Sequence, residues 1–194
     1  MAGERPIDDA IGLPFDVPDD WGTASMGECC TFVRDGDWFE TKDQGGSDYR
    51  LLQISNIGVG RFVETGTSRW ITEETFLRLN CTEILPGDVL VARMPEPTGR
   101  AWHVSKLPWR AVTAVDVAII RTQRSTLDPR FLAYFLNSPG CLGLVHSLTT
   151  GTTRLRIRRA DIERLEVPLP PLPEQRAIAH ILGTLDDKIE LNRR

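Results

Sequence analysis

The C-terminal segment, residues 167–194, constrains the fold more than any other part of the sequence. It opens with prolines at positions 168, 170 and 171. Proline fixes its own φ at about −65° and disfavours helix in the residue before it, so the chain must arrive extended. Pro173 then suits the first position of a helix, and Glu174 in the first turn complements the helix dipole. The pattern predicts a long helix that begins at Pro173 and runs to the C-terminal residues.

The predicted helix carries an apolar stripe with the alternating three- and four-residue spacing of a coiled coil. Charged residues lie off this stripe, so an isolated helix would expose leucine and isoleucine to water. Two outcomes stay open: the stripe packs on the chain's own domain, as in most amphipathic helices, or it pairs with another helix. Asn192 favours pairing, because a polar seam residue sets the register between helices. The stripe consists of Gln175, Ile178, Leu182, Leu185, Ile189 and Asn192, widened by Ile181.

Length and composition indicate a globular protein. A chain of 194 residues with 41% hydrophobic residues suits one domain and an appendage. No stretch approaches the roughly 18 apolar residues of a membrane span, and the acidic N-terminus is unlike a signal peptide, so we predict the cytoplasm. The cysteines Cys29, Cys30, Cys81 and Cys141 form no C-x-x-C pair and suggest no disulfide framework. They are predicted to be buried or incidental thiols.

The net charge of −4 argues at first against nucleic-acid binding, which requires lysine and arginine at the phosphates. Its distribution weakens that argument. Residues 1–20 hold six acidic residues and one basic residue. By contrast, the segment 121–164 contains eight arginines against three acidic residues. A basic binding surface and a merely solvated charged face both remain possible interpretations of this segment.

The order of patterns predicts an α+β fold: a mainly β domain with a few short helices, followed by one long, protruding, coiled-coil-like helix. We divide the chain into an acidic leader (1–20), a domain (21–166) and the proline lead-in with its helix (167–194). Turn residues and a 3.6-residue period predict helices at 73–79, 128–136 and 141–148. Alternating or apolar runs predict strands at 27–34, 49–55, 61–64, 88–94 and 113–121.

Catalytic motifs are weak throughout. Glu40-Thr41-Lys42 after two aspartates is the nearest match to a metal-dependent nuclease, and its spacing fits a polar turn better. The glycines at 58 and 60 precede no helix pattern that would bind a methyl-donor cofactor. His103, His146 and His180 have no metal-ligand spacing with the cysteines. We therefore expect no enzyme activity, no cofactor and no bound metal.

Several motifs together carry a family resemblance. PLPPLPEQRAIAHIL followed by LDDKIELN, over residues 168–192, resembles the junction between target recognition domain and spacer helix in specificity subunits of Type I restriction-modification systems. TTGTTRLRIRRADIERLEVPLPP upstream is similar to the approach to that junction. DVPDDW, YRLLQISNIGVGRF, LPGDVLVAR and DPRFLAYFLNS match in order along the chain. The resemblance covers essentially all of the 194 residues.

The resemblance implies a recognition domain that binds one half of a split double-stranded DNA target. Full-length members carry two such domains, whose helical regions pair and dock two copies of the adenine-methylating subunit, with the motor and restriction subunit bound indirectly. This sequence contains one domain and the start of one helix. It is then either a piece of a longer chain or a half-sized form that makes a homodimer through the helix. The competing hypothesis is an interaction or regulatory module that engages the methylating subunit, or its own copy, without binding DNA.

Candidate DNA contacts follow from residue chemistry. Alternation in 154–158 predicts a strand that places arginines on one face, beside a threonine-rich loop, and both suit phosphate contacts. Base contacts need forked or amide side chains at loop tips. The phosphate candidates are Arg154, Arg156 and Arg158 with Thr149, Thr152 and Thr153, and the base candidates are Arg93, Arg100, Lys42 and Gln44. Trp38 and Trp102 are predicted to be core or loop-packing anchors.

Overall fold

The computed structural model describes residues 10–192, and they form an α+β domain from which a long C-terminal helix extends. The predicted fold class is therefore confirmed. The strands are β1 (Gly22–Ser25), β2 (Cys30–Asp35), β3 (Tyr49–Leu52), β4 (Arg69–Ile71), β5 (Val89–Ala92), β6 (Ala101–His103), β7 (Arg110–Thr113), β8 (Val117–Thr122) and β9 (Glu166–Leu169). The helices are α1 (Met26–Cys29), α2 (Glu73–Leu79), α3 (Pro129–Leu136), α4 (Pro139–Ser147), α5 (Arg159–Arg164) and α6 (Leu172–Asn192).

A four-stranded antiparallel sheet forms the centre of the domain, in the order β2-β8-β5-β6. Its strands are apolar on both faces, which is why β5 is a continuous run of Val and Leu ending in Ala92. Val89 and Val91 face α3 and α4 in the main core. Leu90 and Ala92, with Trp102 of β6, pack on the opposite face against a second sheet. The central sheet is thus covered on both sides.

The second sheet has three strands in the order β4-β3-β7, with β3 antiparallel to β4 and parallel to β7. Alternation along β3 sends Leu52 to the interface with the central sheet and Tyr49 and Leu51 to the other side. There the ring of Tyr49 stacks on Phe76 of α2 with 4.2 Å between centroids. α2 therefore covers the outer face of this sheet.

A third, two-stranded pairing joins the beginning of the domain to the proline lead-in. β1 runs antiparallel to β9, from Gly22 opposite Leu169 to Ser25 opposite Glu166. β9 therefore extends across the predicted domain boundary at 166/167. The described part of the leader acts as a strap: the Ile11 amide donates to the carbonyl of Arg164 (2.8 Å) and its carbonyl accepts from Glu166 (2.9 Å). Residues 1–9, the rest of the predicted leader, lie outside the described residues.

Local signals predicted several elements well. Thr72, Asp128 and Ser138 accept hydrogen bonds from the first turns of α2, α3 and α4. The four cysteines are buried and unpaired, as predicted. Within residues 10–192, no helix is both long and apolar enough to cross a bilayer.

Two strand predictions are wrong. Residues 61–64 form no strand, and Phe62 makes an isolated bridge to Ile57 instead. Tertiary contacts hold this segment: the side chain of Asn56 donates to the carbonyl of Val63 (3.0 Å), and Arg50 hydrogen-bonds Glu64. The alternating residues 154–158 also form a loop, joined to the preceding turn by one bridge between Thr150 and Arg156. In this loop Leu155 is exposed whereas Ile157 is fully buried, so the predicted common face does not exist.

Candidate nucleic-acid interface

Four loops meet at one end of the central sheet. β2 and β5 end there, and β6 and β8 begin there, because neighbouring strands of the sheet are antiparallel. We call this surface the loop edge, defined by residues 36–40, 93–100, 114–116 and 149–158. Backbone hydrogen bonds join these loops: Arg93 donates to the carbonyl of Asp116 (2.9 Å), and Ile157 donates to the carbonyl of Arg93 (3.2 Å).

The buried side chain of Arg93 connects the segments of the loop edge. It is buried, and its guanidinium forms an ion pair with Asp35 at the end of β2. Its Nε donates to the carbonyl of Ile157 (3.2 Å). Burial lowers the pKa of Arg93, and the charge of Asp35 opposes that shift. One buried cation thus connects the end of β2, the end of β5 and the arginine-rich segment 149–158.

The three predicted phosphate-binding arginines differ in their environments. Arg154 is exposed and forms no ion pair with any described residue. Arg156 is half-buried, and its Nη2 lies 3.1 Å from Asp116, while its Nε is buried without a partner among the described residues. Arg158 precedes α5. The carboxylate of Asp161 in that helix accepts two hydrogen bonds from the guanidinium of Arg158 and raises the pKa of Arg158. Arg154 is therefore the most available of the three, and Arg156 is incompletely satisfied.

The threonines next to this segment present hydroxyl groups to solvent. Thr152 and Thr153 are exposed and lie in the turn that precedes Arg154. Thr149 is half-buried, and its hydroxyl donates to the carbonyl of His146 at the end of α4 (2.7 Å). The structure therefore leaves Thr152 and Thr153 open to a ligand and commits Thr149 to the fold.

The predictions for Arg93 and Arg100 as base-reading residues at loop tips are wrong. Both side chains are buried. The guanidinium of Arg100 donates to the carbonyls of Ile57 (2.6 Å), Pro95 (2.6 Å) and Ile54 (2.9 Å). Both guanidinium groups hold loops in place instead of facing solvent. The sequence signal for this role was the position of Arg93 just after the apolar strand β5 and of Arg100 just before β6, where a side chain turns inward as easily as outward.

Lys42 and Gln44 lie on the loop from β2 to β3, in and after a short 3-10 turn at Thr41–Asp43. Lys42 is exposed, and Glu40, 2.9 Å away, raises its pKa. Gln44 is half-buried, and its backbone amide donates to the carbonyl of Thr41 (3.3 Å). Asp43 within the turn pairs with Arg78 of α2 (2.6 Å). The contacts of Lys42 and Gln44 are thus within their own turn, which Asp43 joins to α2, and no described contact joins them to Arg154, Arg156 or Arg158.

The two tryptophans have opposite environments. Trp102 is buried between the two larger sheets, as predicted. Trp38 is 72% exposed on the loop edge, so its predicted role as a packing anchor is wrong.

α6 begins at Leu172, one residue before the predicted start, and packs on its own domain through a narrow face. Gln175, Ala179 and Gly183 are its buried residues. Gln175 Oε1 accepts from the amide of Asp128 (2.8 Å), and its Nε2 donates to the carbonyls of Thr126 (3.0 Å) and Pro170 (2.8 Å). The prediction that Gln175 lies on the coiled-coil seam is therefore wrong, because its amide anchors the helix to the domain.

The apolar stripe of α6 stays largely outside the domain. Ile178 is half-buried against the main core, whereas the rest of the stripe is 36% to 60% exposed at Ile181, Leu182, Leu185 and Ile189. Asn192 is also exposed. Polar contacts fix the helix on its inner side: the hydroxyl of Tyr134 donates to Asp186 (2.8 Å). The structure thus resolves the alternatives left open by the sequence: α6 does contact its own domain, and most of the apolar stripe is not in that contact.

Residues 10–192 contain no group of three or more His, Cys, Asp or Glu side chains that could hold a metal ion. The nuclease-like Glu40 and Lys42 pair with each other in the 3-10 turn, and the Glu40 amide donates to Asp43 (2.8 Å). These contacts account for the motif as a turn.

Comparisons with known proteins identify the family of the chain. The family model "Type I restriction modification DNA specificity domain" matches residues 18–194. The chain is 26% identical over 188 residues to the type I restriction enzyme MjaVIII specificity subunit of Methanocaldococcus jannaschii, covering 92% of this chain and 42% of that protein. It is 25% identical to the StySPI specificity subunit of Salmonella potsdam, covering 87% and 37%. The chain spans about two fifths of the length of these curated relatives.

Solved structures share the fold. The HsdS subunit from Thermoanaerobacter tengcongensis has a TM-score of 0.65 at 21% identity, covering 93% of this chain and 40% of that one. A chain in a structure of a type I R-M system has a TM-score of 0.67 at 22% identity, covering 93% and 42%. The chain therefore belongs to the family of type I restriction modification DNA specificity domains, the non-catalytic specificity components that its sequence resemblance predicted.

Proposed function

We propose that this chain recognises one half of a bipartite double-stranded DNA target and docks the methylating subunit of a type I complex. The observation that carries the proposal is the loop edge, where a buried Arg93 fixes the arginine-rich segment 149–158 to the ends of β2 and β5. A binding surface needs side chains held on a rigid support. The loop edge provides this, and its exposed groups are suited to DNA.

The chemistry of the loop edge supports contacts to phosphate. Arg154 is exposed and forms no ion pair with any of the residues 10–192, and Thr152 and Thr153 offer hydroxyl donors beside it. Arg156 and Arg158 are each paired with a carboxylate, that of Asp116 and that of the buried Asp161, and their remaining N–H donors can form charge-assisted hydrogen bonds to phosphate. Contacts of this kind fix the position of a protein on the duplex without reading sequence. Base reading then falls to neighbouring loop side chains, and Lys42 and Gln44 remain proposals for that role.

The exposed stripe of α6 supports a helical partner. Leu182, Leu185 and Ile189 form an apolar surface further along the helix that Gln175 anchors to the domain. Such a surface fits the seam of a helix pair. We propose that it pairs with a second helix, from another copy of this chain or from the second half of a longer one, and helps to dock the methylating subunit. The motor and restriction subunit would then join through the methylating subunit.

Fluorescence anisotropy tests DNA recognition directly. The purified chain with the methylating subunit is titrated into a labelled duplex that carries a target selected from a random pool, and into a scrambled duplex of the same composition. We expect clear preference for the target, weaker binding as salt rises, and a salt slope smaller by about one for Arg154→Ala. Lys106→Ala is the matched control, because Lys106 is exposed on the opposite end of the central sheet, after β6. Equal affinity for both duplexes would overturn the proposal.

The same titration separates the competing function, an interaction module that does not bind DNA. The exposed α6 stripe and the net charge of −4 favour that alternative. Association through an apolar seam responds little to salt, whereas phosphate contacts weaken steeply. Salt-insensitive association with the methylating subunit, without DNA binding by the complex, would identify the chain as such a module.

A further inference from the structure

Trp38 is the largest exposed apolar side chain on the loop edge, and its backbone is held on both sides. Before it, the Gly36 amide donates to the carbonyl of Val117 (2.9 Å), and the Asp37 amide donates to the carbonyl of Thr113 (2.9 Å). After it, the Glu40 amide donates to the carboxylate of Asp43 (2.8 Å). The indole is thus 72% exposed on a backbone segment that is hydrogen-bonded on both sides.

The residue two positions before Trp38 is constrained by packing as well. A Cβ at Gly36 would overlap the backbone of Thr113 and Ala114. The close approach of the two loops therefore requires glycine at this position. This contact fixes the point at which the chain leaves β2, and with it the direction in which residues 37 and 38 project.

The loop that carries Trp38 is acidic in sequence, yet each neighbouring carboxylate is occupied by the protein itself. Asp35 pairs with Arg93 and lies 3.9 Å from Arg159. Asp37 turns inward, where its carboxylate accepts from the Thr82 amide (3.2 Å). Glu40 pairs with Lys42 (2.9 Å). Among the described residues around the indole, the carboxylates of Asp35 and Glu40 are thus paired with cations and that of Asp37 is hydrogen-bonded to a backbone amide, which limits their repulsion of a polyanion.

Resting on the proposed function, we infer that Trp38 packs against the DNA, as an apolar contact to deoxyribose and base edges in a groove. Asp35, three residues before Trp38, is held by Arg93, whose Nε bonds the carbonyl of Ile157 in the segment that carries Arg154. Aromatic and basic side chains are thereby presented from one connected support. A duplex offers both surfaces they require, phosphates for the arginines and apolar edges, such as the thymine methyl group, for the indole.

A protein partner fits this surface less well. The apolar surface that suits a helix lies on α6, which packs on α3 through Gln175 and Tyr134. No described contact connects the loop edge to that stripe. An isolated indole among paired charges lacks the continuous apolar area of a protein interface, whereas one intercalating or groove-packing side chain is sufficient against DNA.

Salt dependence separates an apolar contact from a phosphate contact. We expect Trp38→Ala to weaken binding of the labelled target duplex, with the methylating subunit present, by about tenfold, and Trp38→Phe to weaken it less. The salt slope of Trp38→Ala should equal that of the wild type, because an apolar contact releases no counterions. Arg154→Ala should instead lower the slope. Leu77→Ala is the matched control, since Leu77 is an exposed apolar residue on α2, outside the loop edge.

A direct optical measurement completes the test. Iodide should quench the emission of the wild type more than that of Trp38→Phe, and saturating target duplex should remove this difference. Unchanged affinity for Trp38→Ala, together with weakened binding by Arg154→Ala, would overturn the inference while leaving DNA recognition standing. Loss of methylating-subunit binding by Trp38→Ala would also overturn it, because the indole would then contact protein. Absence of target preference in the wild type would instead remove the proposed function on which the inference rests.

Discussion

Arg93 at the end of β5 reaches Asp35 at the end of β2, and the ion pair between them is fastened to a third segment by the hydrogen bond from Arg93 to Ile157. A buried guanidinium is costly unless its donors are matched, and here a carboxylate and a carbonyl match them. The pair therefore works as a joint between loops that are distant in sequence. Its geometry decides where Arg154 and Arg156 lie.

Removing this joint should loosen the loop edge. We expect Arg93→Met to lower the free energy of unfolding by about 2–3 kcal/mol, at the lower end for a broken ion pair because Asp35 is about one third exposed. Urea unfolding measures the loss, and hydrogen exchange should show faster exchange of the Ile157 amide, which donates to the Arg93 carbonyl. Arg154→Met is the control and should leave stability unchanged. If the Ile157 amide exchanged as slowly in Arg93→Met as in the wild type, Arg93 would not be the residue that holds this segment in place.

Gln175 should be the most sensitive residue of α6. Its buried amide satisfies the Asp128 amide and the carbonyls of Thr126 and Pro170, so Gln175→Leu would leave three backbone groups unpaired. We expect a loss of about 3 kcal/mol in the free energy of unfolding. His180→Ala, on the exposed side of the same helix, should change it by less than about 0.5 kcal/mol. Equal urea midpoints for the two variants would show that Gln175 is not the anchor.

The exposed stripe should control assembly without affecting the fold. We expect Leu182→Asp with Leu185→Asp to abolish association through α6, because charged groups cannot enter an apolar seam. Thermal unfolding of the domain should be unchanged, since both side chains are largely outside the core. Light scattering measures assembly with a second copy and with the methylating subunit. Thr184→Asp, exposed on the same helix but off the stripe, serves as control; assembly as strong as in the wild type would rule out the seam.

Glu64 should contribute to the acid sensitivity of the protein. The guanidinium of Arg50, held over the rings of Phe62 and Trp109, lowers the pKa of Glu64 by hydrogen bonding. A carboxyl whose pKa is lower in the folded state stabilises the protein above its unfolded pKa, and the effect disappears as pH falls through the folded pKa. We therefore expect Tm to fall between about pH 5 and pH 3, and to fall less steeply in Glu64→Gln. Parallel Tm profiles for both proteins would exclude this contribution.

Local chemistry was sufficient to predict several elements. Asp128 before Pro129 is a capping residue next to a proline at a helix start, and such a short-range signal needs no tertiary context, whereas Ser138 and Pro139, expected at the end of that helix, in fact begin α4. The apolar run of β5 was likewise predictable, because a strand buried on both faces requires it. The family resemblance rested on the same local motifs.

The candidate site depended far more on distant contacts. Alternation at 154–158 predicted a strand, yet Ile157 is held by Arg93 and Arg156 by Asp116, so the segment became a loop. Arg93 and Arg100 looked like loop-tip readers because the sequence does not show that carbonyls and a carboxylate would surround them. An arginine's role depends on its neighbours in space, which its neighbours in sequence do not specify.

For this protein, the sequence by itself determined the α+β class, the helix caps, the proline lead-in and an apolar stripe on the last helix, because each follows from the chemistry of a few adjacent residues. The tertiary structure alone decided that Gln175 is an anchor, that Arg93 joins three segments and that Trp38 is exposed. These outcomes depend on which groups meet after the sheets pack. Burial, hydrogen-bond partners and charge pairing are properties of that packing, and so they cannot be deduced from spacing along the chain.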